Sequence, residues 1–374
     1  MYRRLKTPLK RAKALEYHSD SEQMLMTPSG SSIFYLSGKV LEDLRGETLN
    51  GAGVDEYRNQ HKDLWSLVVQ PMLSTTKGWG AFLSTPNGYD HFYDLYEFAK
   101  QNPDDWAVFN FPSTINPLFD LEAYESARRN MPDKQFRQEI LAEFLDLTAG
   151  KAYYAFSDQN VTDERWWGTP PDTWIDPNKP LVIGMDFNLN PMSWTLGQTN
   201  FQKWFWGKEI YLENSNTVEA SLALCDLLSD YRNRGWLRSD PQLLIVGDAA
   251  GKASQRAAAS KSDYDIVLGM LRERGFSFDD RTPEANPLVK DRINAVNAKL
   301  RTADGTILTR ISPTGCPRLV KDLQRVVWKE GQMILDKTKD PTLTHSSDSI
   351  GYPIHRLTPI QEVKEVGKPV VVVY

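Results

Sequence analysis

The sequence has 374 residues, of which 40% are hydrophobic and 25% charged, and its net charge is −5. This length suits two domains, and the net charge excludes a globally basic surface but not a local basic patch that binds phosphate. Two cysteines far apart in the chain exclude a disulfide framework and fit a reducing cytosol, and no apolar run approaches the ~20 residues of a membrane span.

The first 149 residues predict helices that alternate with strands, a pattern typical of a parallel sheet. The acidic pair Asp55-Glu56 follows a short, weakly apolar strand, and a strand at 78–88 runs into a Pro-Asn-Gly turn. Helices are predicted over 1–18, 55–73, 89–101, 120–130 and 133–145, and further strands over 30–38 and 106–113.

The acidic pair is typical of the end of an ATPase strand, where the Asp holds Mg²⁺ through water and the Glu orients the attacking water. Such an ATPase also needs an upstream phosphate-binding loop of the form G-x-x-x-x-G-K-[ST]. Residues 1–54 contain Gly30, Gly38 and Lys39, but the spacing is wrong and Val40 follows the Lys. The alternative for Asp55 and Glu56 is a helix-start pair favoured by the helix dipole.

The rest of the chain predicts a linker and a second domain. Residues 150–178 are rich in aromatics, Pro, Gly and Asp, which favours an interdomain linker. Three consecutive strands follow, then a helix from Thr217, a buried strand ending at Asp248 and several helices. The strands are predicted at about 181–187, 192–199 and 203–213, the later helices over 265–275, 288–301 and 316–328, and a terminal helix over 344–357 with Thr344 or Ser346 as its cap.

This order of elements is that of a ribonuclease H-like α/β fold, and it predicts where three acids meet. Asp186 lies at the exit of the first strand, Asp248 at the exit of the neighbouring fourth strand, and Asp348 on the terminal helix. Three carboxylates around one cleft repel each other unless cations lie between them, and two Mg²⁺ or Mn²⁺ ions can activate a water and stabilise the leaving oxygen of a phosphodiester. Glu213, at the end of the third strand, is a further candidate ligand. The alternative for each acid is a turn former or helix cap.

Several segments resemble motifs of the large terminase subunit of tailed bacteriophages. "GMDFNLNPMSW", "IVGDAAG" and "HSSDSIGYPI" resemble its three nuclease motifs, with Ser349 where Ala is common, an exchange that should not matter. "LRGETLNGAGVDEY" resembles its Walker B region, and "LSTPNG", with Ser84, Thr85 and Asn87, resembles the coupling motif that senses the nucleotide. His345 lies on the same helical face as Asp348, so it touches a metal, a phosphate or the Asp, or it is a structural His.

The resemblance covers nearly the whole chain and implies a partial P-loop-type ATPase domain (1–149), a linker (150–178) and a ribonuclease H-like nuclease domain (179–374). It implies an endonuclease that cuts double-stranded viral DNA during ATP-driven packaging, with Asp186, Asp248, Asp348, Asp55 and Glu56 as catalytic residues. The implied cofactors are two Mg²⁺ or Mn²⁺ ions, and ATP only if a Walker A loop is supplied elsewhere.

The implied partners are viral DNA, the portal protein, the small terminase subunit and further copies of the chain on the procapsid. The implied location is the host cytoplasm, transiently at the portal, without a membrane. The preferred DNA-contacting residues are Lys252, Arg256 and Lys261, in a small-residue-rich loop beside Asp248, and the alternative is an ordinary solvated loop.

Two other functions stay open from the sequence. A resolvase or transposase has a ribonuclease H-like fold, but it lacks an acidic pair followed by S-T-P-N-G as in residues 44–88. A non-catalytic packaging assembly protein is the alternative from a different class.

Overall fold

The computed structural model describes residues 2–35, 48–145, 150–169, 172–188, 190–253, 261–329, 332–338 and 340–360. Its contacts divide the chain into two units, Met1–Phe109 (unit 1) and Asn110–Tyr374 (unit 2). The contacts thus group residues 110–178 with unit 2, whereas the sequence predicts a domain limit at 149 and a linker over 150–178. The predicted functional division into 1–149, 150–178 and 179–374 stays a prediction.

The described part of unit 1 contains two small sheets and three α-helices. Its helices are α1 (Tyr2–Arg11), α2 (Gln70–Ser74) and α3 (His91–Gln101), and its strands are β1 (Tyr17–Ser19), β2 (Met24–Met26), β3 (Ser32–Phe34), β4 (Gly51–Asp55) and β5 (Trp79–Leu83). Strands β1, β2 and β3 pair antiparallel in chain order, and β4 pairs parallel with β5. The parallel pairing predicted for this half is confirmed for β4 and β5.

Three predicted elements of unit 1 are wrong in extent or kind. The helix over 1–18 ends at Arg11, because the chain then turns into β1, which pairs with β2. The helix over 55–73 is broken into a 3-10 turn, one π-helical turn and α2. The strand over 106–113 does not form, since Trp106 packs within an aromatic cluster, its ring centroid 5.4 Å from that of Trp65. The last residues of the predicted strand at 30–38, with Gly38 and Lys39, lie outside the described residues.

Unit 2 is built around a six-stranded mixed sheet. Its helices are α4 (Leu121–Asn130), α5 (Asp133–Glu139), α6 (Thr217–Asn233), α7 (Asp263–Glu273), α8 (Val289–Leu300), α9 (Pro317–Arg325) and α10 (His345–Leu357). Its strands are β6 (Leu181–Asp186), β7 (Met192–Thr199), β8 (Trp204–Leu212), β9 (Leu243–Gly247), β10 (Phe278–Asp280) and β11 (Thr309–Ile311), in the sheet order β10-β9-β6-β7-β8-β11.

The sheet has the topology predicted from the order of elements. β6, β7 and β8 are antiparallel neighbours, and β9 lies parallel to β6 with Gly247 opposite Met185. Successive residues of β6 point to opposite faces, so Val182 enters a core shared with α8, α9 and α10, and Ile183 enters one shared with α6 and α7. The central strand is therefore buried on both faces, and its carboxyl end opens onto α10.

Two further differences concern helix ends in unit 2. The helix predicted over 133–145 ends at Glu139, and Ala142 has a φ of 56°, which continues no helix. Thr344 occupies the position before α10 with a φ of 86°, and its side chain makes no capping hydrogen bond, so the predicted side-chain cap is wrong. The helices in the described parts of the chain include none that is both long and apolar enough to cross a membrane.

The predicted linker packs on unit 2. Tyr153 is buried in the core shared with α8 and α10, and the indole nitrogen of Trp166 donates to the Trp204 carbonyl at 2.9 Å. The Lys203 and Arg310 side chains lie against the Trp166 ring, 4.5 and 3.8 Å from its centroid. These contacts fix the segment against the edge of the sheet formed by β8 and β11.

Candidate functional site

Two of the predicted acids lie at the carboxyl ends of neighbouring parallel strands. Asp186 is the last residue of β6, and its side chain is 4% exposed. Asp248 follows β9 directly, and its backbone N–H donates to the Met185 carbonyl at 3.0 Å. The parallel pairing of β6 with β9 thus brings residues 62 positions apart to the same edge of the sheet, as the sequence predicts.

Helix α10 carries the third acid across this strand end. Gly184 of β6 lies directly under the backbone of Ser349, so the helix and the strand approach closely. The hydroxyl groups of Ser193 and Ser346 are 2.9 Å apart, and those of Thr195 and Ser349 are 2.6 Å apart. Ser349 is therefore more than a small residue in place of Ala, because its hydroxyl bonds the helix to β7.

Asp186 is held by two polar side chains. His345 Nδ1 lies 2.9 Å from Asp186 Oδ2, and Asn188 Nδ2 donates to the same oxygen at 2.5 Å. Burial lowers the pKa of His345, but the hydrogen bond to Asp186 and the negative charge of that residue outweigh this effect, and the pKa is raised. The sequence predicts that His345 contacts a metal, a phosphate or Asp348, or is a structural residue. In the structure its ring contacts a different acid, Asp186.

Asp348 forms a buried ion pair that the sequence did not predict. Arg292 Nη2 of α8 lies 2.7 Å from Asp348 Oδ1, and the two side chains are only 6% and 11% exposed. Burial raises the pKa of Asp348 to about 6, Arg292 opposes the increase, and the charge of Asp186 adds to it. The two carboxylates therefore repel each other, and Arg292 compensates part of that repulsion.

Asp248 is partly exposed and is oriented by its neighbours. Its Oδ1 accepts hydrogen bonds from the Ala250 N–H at 2.7 Å and from Asn286 Nδ2 at 2.6 Å. The second carboxylate oxygens of Asp186, Asp248 and Asp348 accept no hydrogen bond from the described residues. Each acid thus keeps one oxygen without a hydrogen-bond donor among the described residues.

Oxygen donors of this kind suit Mg²⁺ and Mn²⁺, so the chemistry of the three acids fits the implied cations. Among the described residues, however, no group of three His, Cys, Asp or Glu side chains is arranged so that it could hold a metal ion without rearrangement. Beside Asp348, the Arg292 guanidinium supplies the positive charge.

The other predicted residues of unit 2 lie apart from this group. Glu213 is exposed, pairs with Arg318 at 3.5 Å and lies two strands along the sheet from Asp186. Lys252 Nζ donates to the Thr282 carbonyl at 3.0 Å and pairs with Glu284 at 2.9 Å. Lys261 is exposed, and Arg256 lies outside the described residues. The Lys252 charge is thus partly compensated within the chain.

In unit 1, the predicted Walker B and coupling residues meet at the ends of β4 and β5. Asp55 ends β4 opposite Leu83, the residue before Ser84. The backbone N–H of Arg58 donates to Ser84 Oγ at 3.2 Å, and its guanidinium donates to the Thr85 carbonyl at 3.3 Å. Arg58 Nε also lies 3.9 Å from Glu56. Arg58 therefore links the acidic pair to the coupling segment, in which Asn87 is partly buried.

A buried carboxylate replaces the missing cap of α10. Asp322 of α9 is 3% exposed, and its Oδ2 accepts the Ser347 N–H at 3.0 Å. A negative charge at this position also suits the helix dipole. Asp322 therefore positions the first turn of the helix that carries His345 and Asp348. No local pattern in the sequence indicates this contact, since 25 residues separate the partners.

The environment of Asp322 predicts a pH-dependent stability. Burial raises the pKa of Asp322 to about 7, against the hydrogen bond from Ser347, and nearby Asp348 adds to the increase. The folded chain therefore binds this proton more tightly than the unfolded chain, in which the pKa is near 3.8. The resulting stabilisation is complete below about pH 4 and is lost as the pH rises through about 7.

We expect the melting temperature to fall by several degrees between pH 5 and pH 8, and to fall less in Asp322→Asn, which does not ionise. Thermal melts of both proteins at each pH check this, with the exposed Asp104→Asn variant as a control that keeps the wild-type slope. Equal slopes for wild type and Asp322→Asn would show that Asp322 is ionised throughout.

Comparisons with known proteins bear on this arrangement. No family model matches the chain. Over 118 residues it is 30% identical to the terminase large subunit of Thermus phage G20c, which covers 28% of this chain and 24% of that protein. It is also 30% identical over 83 residues to the terminase large subunit of Escherichia phage T5, covering 22% of this chain and 19% of that protein.

Similarity of structure to a phage terminase covers more of the chain than similarity of sequence does. The large terminase of a thermophilic bacteriophage is similar with a TM-score of 0.55 and 17% identity, covering 94% of this chain and 80% of that one. The resemblance to phage large terminase subunits is confirmed. The same terminase in complex with ATP-γ-S is similar with a TM-score of 0.53 and 16% identity, covering 94% and 81% of the two chains.

The likeness to this thermophilic-phage terminase, with the mixed sheet of unit 2, confirms the predicted α/β fold class. At this identity the structural likeness concerns the fold alone. The matched segment spans about a quarter of the length of the G20c relative.

Proposed function

We propose that this chain is the nuclease-bearing part of a phage DNA-packaging terminase and cleaves double-stranded DNA with divalent cations. The observation that carries the proposal is that Asp186 and Asp248 stand at the ends of neighbouring parallel strands and that α10, which bears Asp348, packs closely on the first of them, in a chain whose fold is similar to that of a large terminase. The charge of Asp186 adds to the raised pKa of the buried Asp348, and a perturbed pKa of this kind supports the proposal because it is typical of catalytic sites.

Asp186, Asp248 and Asp348 would hold the cations through their second carboxylate oxygens. Mg²⁺ or Mn²⁺ bound there supplies an activated water and charge stabilisation for the leaving oxygen of the phosphodiester. His345 and Asn188 orient Asp186 by hydrogen bonds to its other oxygen, and Asn286 orients Asp248 in the same way. Among the described residues Glu213 pairs with Arg318, and its role as a further ligand stays a prediction.

We extend the proposal to DNA contacts and partners. Lys261 and Arg256, in the segment after Asp248, would contact the phosphate backbone, and Lys252 would do so after it leaves Glu284. The portal protein, the small terminase subunit and further copies of this chain are the proposed partners, in the host cytoplasm and at the procapsid portal. Asp55 and Glu56 are the proposed ATP-hydrolysing residues of the packaging motor, and Arg58 links them to the coupling segment. Unchanged ATP turnover by a motor that carries Glu56→Gln would contradict this role.

The test is cleavage of supercoiled plasmid by the purified full chain. We expect nicked and linear products in Mn²⁺ or Mg²⁺ and none in EDTA, with the activity eluting together with the protein. Cleavage that persists in EDTA, or intact plasmid in both metals, would contradict the proposal. We also expect little sequence preference, which cleavage of several plasmids of unrelated sequence at similar rates would show.

A further inference from the structure

The side chain of Arg292 is held in the site by packing contacts in addition to its ion pair with Asp348. Its guanidinium carbon lies 4.4 Å from the centroid of the Tyr352 ring, and the lack of a side chain at Gly351 lets its aliphatic stem lie against α10. A Cβ at Gly351 would come within 2.8 Å of Arg292 Cγ. The guanidinium is thus fixed beside Asp348 by packing as well as by charge.

Among the described residues, one nitrogen of this guanidinium has no hydrogen-bond partner. Arg292 Nε is buried and makes no hydrogen bond within the described part of the chain, although Nη2 bonds Asp348. A buried donor without an acceptor costs about 1–3 kcal/mol, so the pair is not an optimised structural ion pair. The fold keeps an incompletely bonded cation in place, and its only carboxylate partner among the described residues is a proposed metal ligand.

The charges around Arg292 explain what it compensates. Asp186 and Asp348 repel each other, and burial lowers the pKa of Arg292 while Asp348 more than restores it, so that the pKa is raised. Two acids facing each other in a buried place need positive charge before either binds a metal ion. Arg292 supplies this charge beside Asp348.

We propose that Arg292 is an internal counter-ion that competes with a divalent cation for Asp348, and that it sets the concentration of metal at which the nuclease site forms. The inference rests on the proposed function, because it takes Asp348 as a metal ligand. The competition is electrostatic, because Arg292 bonds Oδ1 of Asp348, the cation would take the second oxygen, and the guanidinium charge weakens the attraction of this carboxylate for a cation. Nuclease chemistry is thereby restrained at low metal concentration.

The first test measures metal binding rather than cleavage. The full-length wild type, Arg292→Gln and Arg292→Lys are melted in EDTA and across a titration of MnCl₂. We expect Arg292→Gln to melt at a lower temperature in EDTA, because Asp348 loses its counter-ion, and to gain more from Mn²⁺ than wild type does. The Mn²⁺ concentration at half of the stabilisation should fall about tenfold or more, as the loss of one nearby positive charge implies. Arg292→Lys keeps the charge and should stay close to wild type.

A second measurement does not depend on a variant that folds poorly. In wild type, the side-chain N–H signals of Arg292, assigned by their loss in Arg292→Lys, are followed by NMR during titration with MgCl₂. We expect them to shift with the same midpoint as the thermal stabilisation. Signals that do not move while the protein is stabilised by Mg²⁺ would overturn the competition.

The outcomes separate this inference from the function on which it rests. If the wild type shows no stabilisation by Mn²⁺ that Asp186→Asn removes, the proposed metal site itself fails. If that stabilisation exists but Arg292→Gln needs as much Mn²⁺ as wild type, or more, the metal site stands and Arg292 is a structural or ligand-orienting residue instead. A lower Mn²⁺ midpoint in Arg292→Gln together with a wild-type midpoint in Arg292→Lys supports the inference.

Discussion

Asp186→Asn is expected to reduce plasmid cleavage by roughly a hundredfold to a thousandfold or more, because it removes a negative charge that the reaction needs at the end of β6. The amide keeps an oxygen in place of Oδ2, so the hydrogen bonds from His345 and Asn188 survive and the fold is preserved. The change also removes the repulsion with Asp348. The melting temperature in EDTA should therefore stay within a few degrees of wild type, and stabilisation by Mn²⁺ should be lost.

A second readout shows whether the site was altered as intended. Asp186 raises the pKa of His345, so this pKa should fall in Asp186→Asn, which NMR titration of the His345 ring detects. Asp104→Asn is the matched control, since it makes the same chemical change at an exposed position and should leave cleavage and the His345 titration unchanged. Full cleavage by an Asp186→Asn protein with a lowered His345 pKa would exclude Asp186 as a metal ligand.

The elements that could be predicted from the sequence are those whose signals are local. Buried apolar runs define β6 and β9, and an acid directly after each run must lie at the sheet edge where both strands end. The same kind of reasoning failed for residues 106–113, where an aromatic-rich run resembles a strand. The Trp106 ring joins a cluster with Trp65 and Phe82 instead of lying on one face of a sheet.

The residues that sequence reasoning missed act over long separations. Arg292 lies among the buried, mostly apolar residues of α8, and only the packing of α8 on α10 places it against Asp348, 56 residues away. Asp322 caps α10 from another helix in the same manner. Neither contact has a spacing that a periodic pattern encodes. A charged residue on an otherwise apolar helix face was the only available signal, and its partner stays unknown without the fold.

The close approach of β6 and α10 gives the prediction with the largest expected effect on stability. A Cβ at Gly184 would collide with the carbonyl oxygen of Ser349 and come within 2.9 Å of its carbon and 3.1 Å of Pro353 Cγ. The obstacle is mainly helix backbone, which cannot move aside as the end of a side chain can. Relief requires α10 to shift from the strand, which strains the hydroxyl pairs that join the helix to β7.

We therefore expect Gly184→Ala to lower the stability of unit 2 by about 3 kcal/mol or more, seen as a melting temperature lower by roughly 10 °C. Cleavage measured at about 20 °C, where the variant is still folded, should fall as well, since the shift carries Asp348 and His345 away from Asp186. Gly269→Ala is the matched control, because a Cβ at this helical position meets nothing within 4 Å and Ala favours helix over Gly. If Gly184→Ala and Gly269→Ala have the same melting temperature and the same cleavage rate, α10 and β6 are not in the tight contact that brings the acids together.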